Sequence, residues 1–301
     1  MLQYQSCGIF ALLCVSLISF TPSCDGGNIL VFPVDGSHWI NMKVLLEELH
    51  ARGHNLTVIR ASTSWYIPEE SPMYTISHFK ITNLIETLLD SKYDLVLTDP
   101  AIAPGVLLAR YLKLPVVLNV RWIPSGEGHL AIAPTPASYI PAPGSGLTDN
   151  MTFLQRTKNL FFYGIILFQQ RFIVGPHYDV VCQKYFEGEC DIISVLQEAD
   201  IWLFRSDFVF DFPRPTMPNI VYIGGFQCSP AEPLPSDLEE FVQSAGEHGM
   251  IIMTLGTLVN ALPKEVADTI ASIFAKLPQK VGDFKLWMIQ HRMVAKYCLT
   301  Q

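Results

Sequence analysis

The stretch NILVFPVDGSHWINMKVLLEELHARGHNLTVIR, residues 28–60, predicts a strand, a helix and a second strand in succession. It opens with an apolar run that is typical of a strand buried on both faces of a sheet. Residues 39–51 have helical spacing of apolar side chains, and Gly53 ends this helix before the strand LTVIR. Such a βαβ unit pairs its strands in parallel, so we expect an α/β fold built on a parallel sheet.

The same alternation continues along the chain. Further strands are predicted for YDLVLTD from residue 93, PVVLNV from 115, ADIWLFRSD from 199 and NIVYIGGF from 219. A Pro/Gly-rich region at 121–150 predicts a long irregular loop. Residues 158–174 are apolar almost all round, so they form either a buried helix or a helix on a membrane surface, and burial is the favoured interpretation.

A domain edge is predicted near residue 228. CSPAEPLPSD is linker-like, and Ser236 with Glu239 forms a capping-box pattern that opens the next helix. MIIMTLGT then predicts a buried strand, residues 263–276 a helix and FKLWMIQ a further strand. We therefore expect a Rossmann-like domain at 27–228, followed at 229–301 by a linker and the incomplete start of a second one.

Composition excludes several classes of protein. The 301 residues are 50% hydrophobic and 16% charged, which argues against a disordered chain. A net charge of −8 and no basic run argue against a nucleic-acid partner. The chain contains no GxGxxG, GxxxxGK[ST], GxSxG, HExxH or CxxC, so dehydrogenases, P-loop enzymes, serine hydrolases and zinc proteins are disfavoured and no metal site is predicted.

The first 25 residues fit a signal peptide, because residues 8–20 carry no charge and are too short to span a bilayer. A buried N-terminal helix is the alternative. Entry into the endoplasmic reticulum would make Asn55 and Asn150 glycosylation sequons and would permit a bridge between Cys182 and Cys190, which their spacing alone does not establish. No later segment reaches 18 apolar residues, so no transmembrane helix is predicted in the mature chain.

Two side chains with chemical potential follow predicted strands. His38 stands between the first strand and its helix, and Asp99 ends the strand YDLVLTD. Ligands of open α/β folds bind at the carboxyl edge of the sheet, and the topology can bring both residues there. A carboxylate beside an imidazole fixes its tautomer and stabilises the cation formed when it takes a proton from a hydroxyl. The alternatives are that His38 only caps its helix and Asp99 only begins a turn.

The loop TLGT at 254–257 follows another predicted strand and leads towards a helix. Its backbone N–H groups and hydroxyls could hold a phosphate. An ordinary β-to-α turn is the alternative.

Several stretches together resemble the UDP-glucuronosyltransferases, and the fish branch of that family in particular. They are ILVFPVDGSHWINMK at 29–43, YDLVLTDP at 93–100, ADIWLFRSDFVFDFPRPTMPN at 199–219 and IIMTLGT at 251–257. The resemblance implies a GT-B-like glycosyltransferase of two facing Rossmann-like domains. It also implies that His38 is the catalytic base, that Asp99 supports it, and that Gly256 and Thr257 contact the donor phosphate.

The reaction implied by the resemblance is an inverting transfer of glucuronic acid from UDP-glucuronate to a small lipophilic hydroxyl compound, as in xenobiotic conjugation. UDP-glucuronate is then a co-substrate, and no bound cofactor is implied. Family members are membrane-anchored glycoproteins of the endoplasmic reticulum, which places this chain on the lumenal side. Contact with a membrane surface and association with itself or with other family members stay open.

The chain departs from the family pattern in two places. Relatives have a longer stretch between the regions matching Tyr66 and Lys92, which indicates an internal deletion near 75–82 that removes part of the acceptor-pocket wall. The resemblance ends near Val281, so the donor signature and the transmembrane helix are expected to be absent. An alternative function follows: a catalytically inactive isoform that associates with full-length family members or only binds small lipophilic molecules.

Overall fold

A seven-stranded parallel sheet dominates the computed structural model. The structure describes residues 26–78, 84–121, 131, 133–187, 190–209, 211–228, 230–231, 233–253, 255 and 262–283. The elements that build and cover the sheet are β1 (Asn28–Phe32), α1 (Ser37–Ala51), β2 (Asn55–Arg60), β3 (Thr75–His78), α2 (Leu84–Asp90), β4 (Leu95–Thr98), α3 (Pro104–Leu112), β5 (Val116–Val120), α4 (Phe153–Gln169), α5 (Gly175–Tyr185), α6 (Ile192–Gln197), β6 (Ile201–Phe204) and β7 (Ile220–Tyr222).

The strand order is β3-β2-β1-β4-β5-β6-β7, with every pair parallel. The chain runs outward from β1 to β3 and then returns to β4 on the other side of β1. Connections therefore diverge between β1 and β4, which is where ligands bind in doubly wound sheets. The predicted parallel α/β sheet is confirmed.

Helices cover both faces of this sheet, which explains the apolar runs in its strands. The face under α1 packs Trp39, Met42 and Leu46 against the strands, and all three side chains are buried. The opposite face, under α3 and α6, contains Leu118 and Trp202. Alternate residues of one strand serve opposite cores, so the strands themselves must be apolar on both sides.

Close approach of α3 to the sheet depends on Gly105. A Cβ at this position would lie 1.9 Å from Thr98 Oγ1 and 3.2 Å from Phe32 Cβ. Thr98 Oγ1 in turn donates a hydrogen bond of 2.8 Å to the Phe32 carbonyl, which ties the ends of β4 and β1 together. The start of α3 is therefore held against the carboxyl ends of the two central strands.

The apolar segment at 158–174 was expected to be buried, and the structure shows much of it exposed. It forms most of α4 and a π-helical turn (Gln170–Val174), yet Phe161, Phe168 and Phe172 are 58–67% exposed. Its buried residues are Asn159, Ile166 and Gln170, and two of these three are polar. Asn159 donates to the carbonyls of Ala137 and Ile140 and accepts from the Ala142 N–H. This side chain fastens the preceding irregular loop to the helix, so the apolar face points outward and the favoured interpretation of burial was wrong.

Two helix starts differ from the expected capping. The helix α7 (Ser236–Gln243) begins at Ser236, its N-cap is Pro235, and no side chain caps it. The predicted capping box of Ser236 and Glu239 was therefore wrong, because Ser236 already lies inside the helix. A capping box exists instead at the start of α4, where Thr152 and Gln155 exchange side-chain and backbone bonds.

Cys182 and Cys190 form the disulfide that oxidising conditions were expected to permit. It joins the last turns of α5 to the segment before α6. Cys182 is buried in the core beneath these helices, so the bridge holds two covering helices at one side of the sheet.

A second, two-stranded parallel sheet pairs β8 (Met250–Met253) with β9 (Lys280–Asp283) across α8 (Lys264–Phe274). The strand β8 and the helix α8 match the predicted strand and helix of the second unit, whereas β9 was not predicted. The strand predicted at 284–290 lies outside the described residues, and so does the proposed signal peptide at 1–25. The division at residue 228 stays a prediction. Among the described helices, none combines the length and apolar content needed to cross a bilayer.

Substituting Gly105→Ala should lower the free energy of unfolding by about 1–3 kcal/mol, because the new methyl group overlaps Thr98. Urea denaturation followed by circular dichroism measures this change. Gly164→Ala is the matched control: it lies inside α4, and a methyl group added there would meet nothing within 4 Å, so stability should rise by about 0.5–1 kcal/mol. Equal effects of the two substitutions would contradict the packing of α3.

Candidate active site

The turn between β1 and α1 is shaped by a carboxylate and a glycine. Asp35 accepts hydrogen bonds from the backbone N–H groups of Gly36, Trp65 and Tyr66. Gly36 has a φ of 72°, which non-glycine residues adopt rarely, and is the N-cap residue of α1. The turn therefore presents the first residues of α1 at the carboxyl edge of the sheet.

His38 and Asp99 meet at this edge. His38 Nδ1 lies 2.6 Å from Asp99 Oδ2. Asp99 is buried, and the His38 side chain is 12% exposed. The other carboxylate oxygen, Oδ1, accepts from the Ala101 N–H at 2.9 Å. An ionised carboxylate can only accept hydrogen bonds, so His38 Nδ1 is the donor in this contact. In the neutral imidazole Nε2 then carries the lone pair that can accept a proton.

The predicted proximity of His38 and Asp99 at the carboxyl edge of the sheet is thus confirmed. The structure also bears on the alternative roles of these residues as a helix cap and a turn residue. No side chain caps α1, so the hypothesis that His38 serves only as a cap is wrong. Asp99 does accept a bond from the turn that follows it, but with one oxygen only. Its second oxygen is used by the imidazole, which a turn does not require.

Two arginines extend the site along the same edge. Arg121 follows β5, and its Nη1 donates to Ser37 Oγ at the start of α1. Arg205 follows β6, the neighbouring strand. Burial lowers the pKa of Arg121, the positive charge of Arg205 lowers it further, and Asp99 opposes both effects. Burial also lowers the pKa of Arg205. Two cationic side chains therefore follow β5 and β6 at this edge, and Arg121 reaches the residue next to His38.

Buried amides accompany these arginines. Asn119 in β5 is fully buried, and neither its Oδ1 nor its Nδ2 has a hydrogen-bond partner among the described residues. Asn41 of α1 is also buried. Its Nδ2 donates to Gln227 Oε1, and its Oδ1 has no hydrogen-bond partner among the described residues. The sequence prediction missed Arg121, Asn119 and Asn41. An asparagine inside the run PVVLNV, followed by arginine, was the available signal.

A cavity of about 390 Å³ opens between α2, α3 and α5. Its lining is mostly apolar and aromatic, and its polar members are His177, Tyr111, Tyr178 and Tyr185. Phe32 and Pro104 also line it, and each stands close in sequence to a member of the His38–Asp99 pair. The Tyr178 hydroxyl accepts from the Ala103 N–H at the start of α3, which joins this wall to the loop after Asp99.

The remaining predicted site residues, Gly256 and Thr257, lie outside the described residues. The structure shows the strand that precedes them, β8, which ends at Met253. Within the described ranges, no group of three or more His, Cys, Asp or Glu side chains could hold a metal ion.

Comparison with known proteins gives a consistent result. A family model described as "UDP-glucoronosyl and UDP-glucosyl transferase" matches residues 27–84 and 78–293. UDP-glucuronosyltransferase 1A5 of Rattus norvegicus is 34% identical over 315 residues, 87% of this chain and 59% of that relative. The 1A5 protein of Homo sapiens is 33% identical over 318 residues, 88% of this chain and 59% of the relative. The chain thus spans about 59% of the length of these relatives.

A solved structure supports the fold. It is the complex of a Polygonum tinctorium UDP-glucosyltransferase "capable of glucosylating indoxyl" with 3,4-dichloroaniline, and it matches with a TM-score of 0.52 at 12% identity. The match covers 85% of this chain and 64% of that one. The fold class is therefore α/β and GT-B-like, as predicted.

Substituting Asp99→Asn should change the His38 ring, because the amide replaces one acceptor oxygen by a donor. We expect loss of the fixed Nδ1–H tautomer in two-bond ¹H–¹⁵N spectra and a stability loss of about 1.5–3 kcal/mol. Asp94→Asn is the matched control, since Asp94 accepts the Asn28 N–H in an exposed contact at the opposite end of β4, before the strand begins. An unchanged His38 spectrum in Asp99→Asn would contradict the assigned hydrogen bond.

Proposed function

The chain belongs to the UDP-glucoronosyl and UDP-glucosyl transferase family, and we propose that it transfers glucuronic acid from UDP-glucuronate to small lipophilic hydroxyl compounds with inversion. The observation that carries this proposal is the 2.6 Å contact between His38 Nδ1 and Asp99 Oδ2 at the carboxyl edge of the sheet. A buried carboxylate that orients an imidazole is the arrangement a hydroxyl acceptor needs in order to become a nucleophile.

In the proposed reaction His38 Nε2 takes the proton of the acceptor hydroxyl. The acceptor oxygen attacks the anomeric carbon of the sugar, the bond from that carbon to the diphosphate breaks, and UDP leaves with the bonding electrons. Asp99 keeps the imidazole in the tautomer that can accept the proton and stabilises the cation that forms. Asp99 is therefore a positioning residue, while His38 touches the reacting atoms.

UDP-glucuronate enters this scheme as a co-substrate. We propose that Gly256 and Thr257, in the loop after β8, contact its phosphates. The support is the resemblance of IIMTLGT to the family, together with the physical tendency of strand-to-helix loops to bind phosphate through backbone N–H groups. UDP-glucose is the competing donor, and binding measurements with both nucleotide sugars separate the two.

The acceptor class follows from the lining of the cavity between α2, α3 and α5. Apolar and aromatic walls favour a lipophilic ligand, and a few polar groups fix its orientation. The His177 imidazole and the tyrosine hydroxyls of the lining are the polar groups that the wall offers. We therefore propose a small aromatic or alicyclic alcohol as the acceptor.

We also propose that the protein acts in the lumen of the endoplasmic reticulum, with residues 1–25 as its signal peptide. Two exposed sequon asparagines, Asn55 and Asn150, and the Cys182–Cys190 disulfide fit that oxidising compartment. The exposed phenylalanines of α4 and the following turn would contact a membrane surface there, since soluble proteins rarely leave large apolar patches uncovered.

Substituting His38→Ala should lower kcat for glucuronidation of a phenol panel by about 10²–10⁴-fold, because general base catalysis is lost. Affinity for UDP-glucuronate, measured by calorimetry, should not change. His50→Ala is the matched control: His50 is exposed in the last turn of the same helix, and its removal should leave kcat intact.

The outcome for the wild-type chain decides between transfer and binding. Turnover that persists in His38→Ala would refute the assigned base. A folded chain that binds phenols but never forms a conjugate with either UDP-glucuronate or UDP-glucose would refute the transferase function and leave a binding protein.

A further inference from the structure

We propose that Arg121, together with Arg205 and Asn119, forms a binding site for the anionic group of the acceptor. The chain would then prefer hydroxyl acceptors that carry a carboxylate at a distance from the reacting hydroxyl. This inference rests on the proposed function, because it specifies which acceptors would bind beside His38. None of the three residues is among the site residues that the sequence predicted.

The register of the sheet brings the three side chains together. Val120 of β5 pairs with Phe204 of β6, and the Arg205 N–H donates to the Val120 carbonyl at 3.0 Å. Arg121 and Arg205 each follow one member of this pair, so they stand side by side at the carboxyl edge. Asn119 lies two residues before Arg121 and therefore on the same face of β5.

The face in question is the one that α1 covers. Val117, two residues before Asn119, packs against the core beneath α1, whereas Leu118 belongs to the opposite core. The hydrogen bond from Arg121 Nη1 to Ser37 Oγ fixes the guanidinium at the start of α1. Ser37 immediately precedes His38, so the site adjoins the proposed catalytic base.

Unused hydrogen-bonding capacity indicates a missing ligand. Among the described residues, Arg121 Nε and both polar atoms of Asn119 are buried without a partner. More than about 90% of buried polar groups in proteins have a hydrogen-bond partner, because an unpaired one is costly. An oxyanion would accept from Arg121 Nε and from Asn119 Nδ2, and so would satisfy donors that the folded chain leaves unpaired.

The charge balance points to an anion. Neither Arg121 nor Arg205 takes part in an ion pair within the described part of the chain. Asp99 attracts Arg121, but its two oxygens already accept from His38 and Ala101. Burial and mutual repulsion lower the pKa of Arg121, which means that its cation is not fully compensated. A carboxylate beside both guanidinium groups would compensate it, in the planar two-bond geometry that arginine favours.

The acceptor is the reactant that fits this position. The donor phosphates are assigned to Gly256 and Thr257 in the loop after β8, whereas Arg121 is held by the residue next to His38. The cavity between α2, α3 and α5 lies on the α3 face and is lined by Phe32 at the end of β1, whereas Arg121 is held on the α1 face. An acceptor that extends from this cavity across the carboxyl edge to His38 can therefore place a second, anionic group against Arg121. The donor carboxylate is the competing occupant, and the experiment separates it.

Calorimetry on the whole chain tests the proposal without requiring transfer. The probes are 4-hydroxybenzoate and 3-(4-hydroxyphenyl)propanoate, each compared with its neutral amide, which has the same shape. We expect each carboxylate to bind at least about tenfold more tightly than its amide, as a charge-assisted contact would give. Arg121→Gln should abolish this preference, and Arg121→Lys should restore part of it.

Arg52→Gln is the matched control for Arg121→Gln. It removes the same charge from an exposed residue that follows α1 and pairs with Glu48 in the last turn of that helix, so the preference for the carboxylate should persist. Equal affinities of carboxylate and amide for the wild-type chain would overturn the proposal. So would a preference that survives in Arg121→Gln.

A second variant guards against misfolding as an explanation. Asn119→Leu keeps the side-chain volume but removes the unpaired amide, so the unfolding temperature should rise while the carboxylate preference falls. A lower unfolding temperature would show that Asn119 is satisfied in the free protein and would contradict the proposal. A higher temperature with an unchanged preference would remove Asn119 from the site.

Donor and acceptor are separated by a parallel titration with UDP-glucuronate and UDP-glucose. If Arg121→Gln abolishes discrimination between these donors but leaves the carboxylate-to-amide ratio unchanged, the acceptor assignment is overturned. A carboxylate preference in a chain that forms no conjugate would support the site and refute the transferase function. Transfer to phenols with equal carboxylate and amide affinities would do the reverse.

Discussion

Parallel pairing of β1 with β4 is the constraint on which the rest of the site depends. The two strands start different βα units, yet pairing sets Phe32 opposite Thr98 and so aligns the loops that follow them. Helices α1 and α3 then leave the same edge on opposite faces of the sheet. The Thr98 bond to the Phe32 carbonyl and the close approach of Gly105 hold this arrangement, which leaves His38 facing Asp99.

Polar groups accumulate at this edge at the expense of local stability. Asn119 and Arg121 belong to a central strand and its end, where apolar side chains would bury more surface without unpaired donors. Departures from the rules that stabilise a core are concentrated at functional sites, because such sites must hold polar groups in a fixed geometry before a ligand arrives. The apolar strands on either side supply the stability that permits this cost.

Features set by neighbouring residues could be predicted from the sequence, whereas features set by contacts between distant residues could not. The order of strands and helices followed from apolar runs and breakers, since these depend on neighbouring residues. The exposure of the apolar face at 158–174 did not, because the buried Asn159 binds the loop before α4 while the phenylalanines of the helix stay exposed. The pair of Arg121 with Ser37 likewise depends on a contact between distant residues that periodicity does not encode, whereas the capping box of Thr152 and Gln155 is a local pattern present in the sequence.

By itself the sequence determined the parallel α/β class, the positions of most strands and helices, and the two residues, His38 and Asp99, that follow central strands. Hydrophobic periodicity and turn residues act over a few positions, so the elements they specify can be predicted without a structure. Only the tertiary structure decided that His38 Nδ1 reaches Asp99 Oδ2, and that Arg121 and Asn119 join them beneath α1. Strand order and register set these distances, because they bring together side chains that lie up to 84 positions apart in the chain.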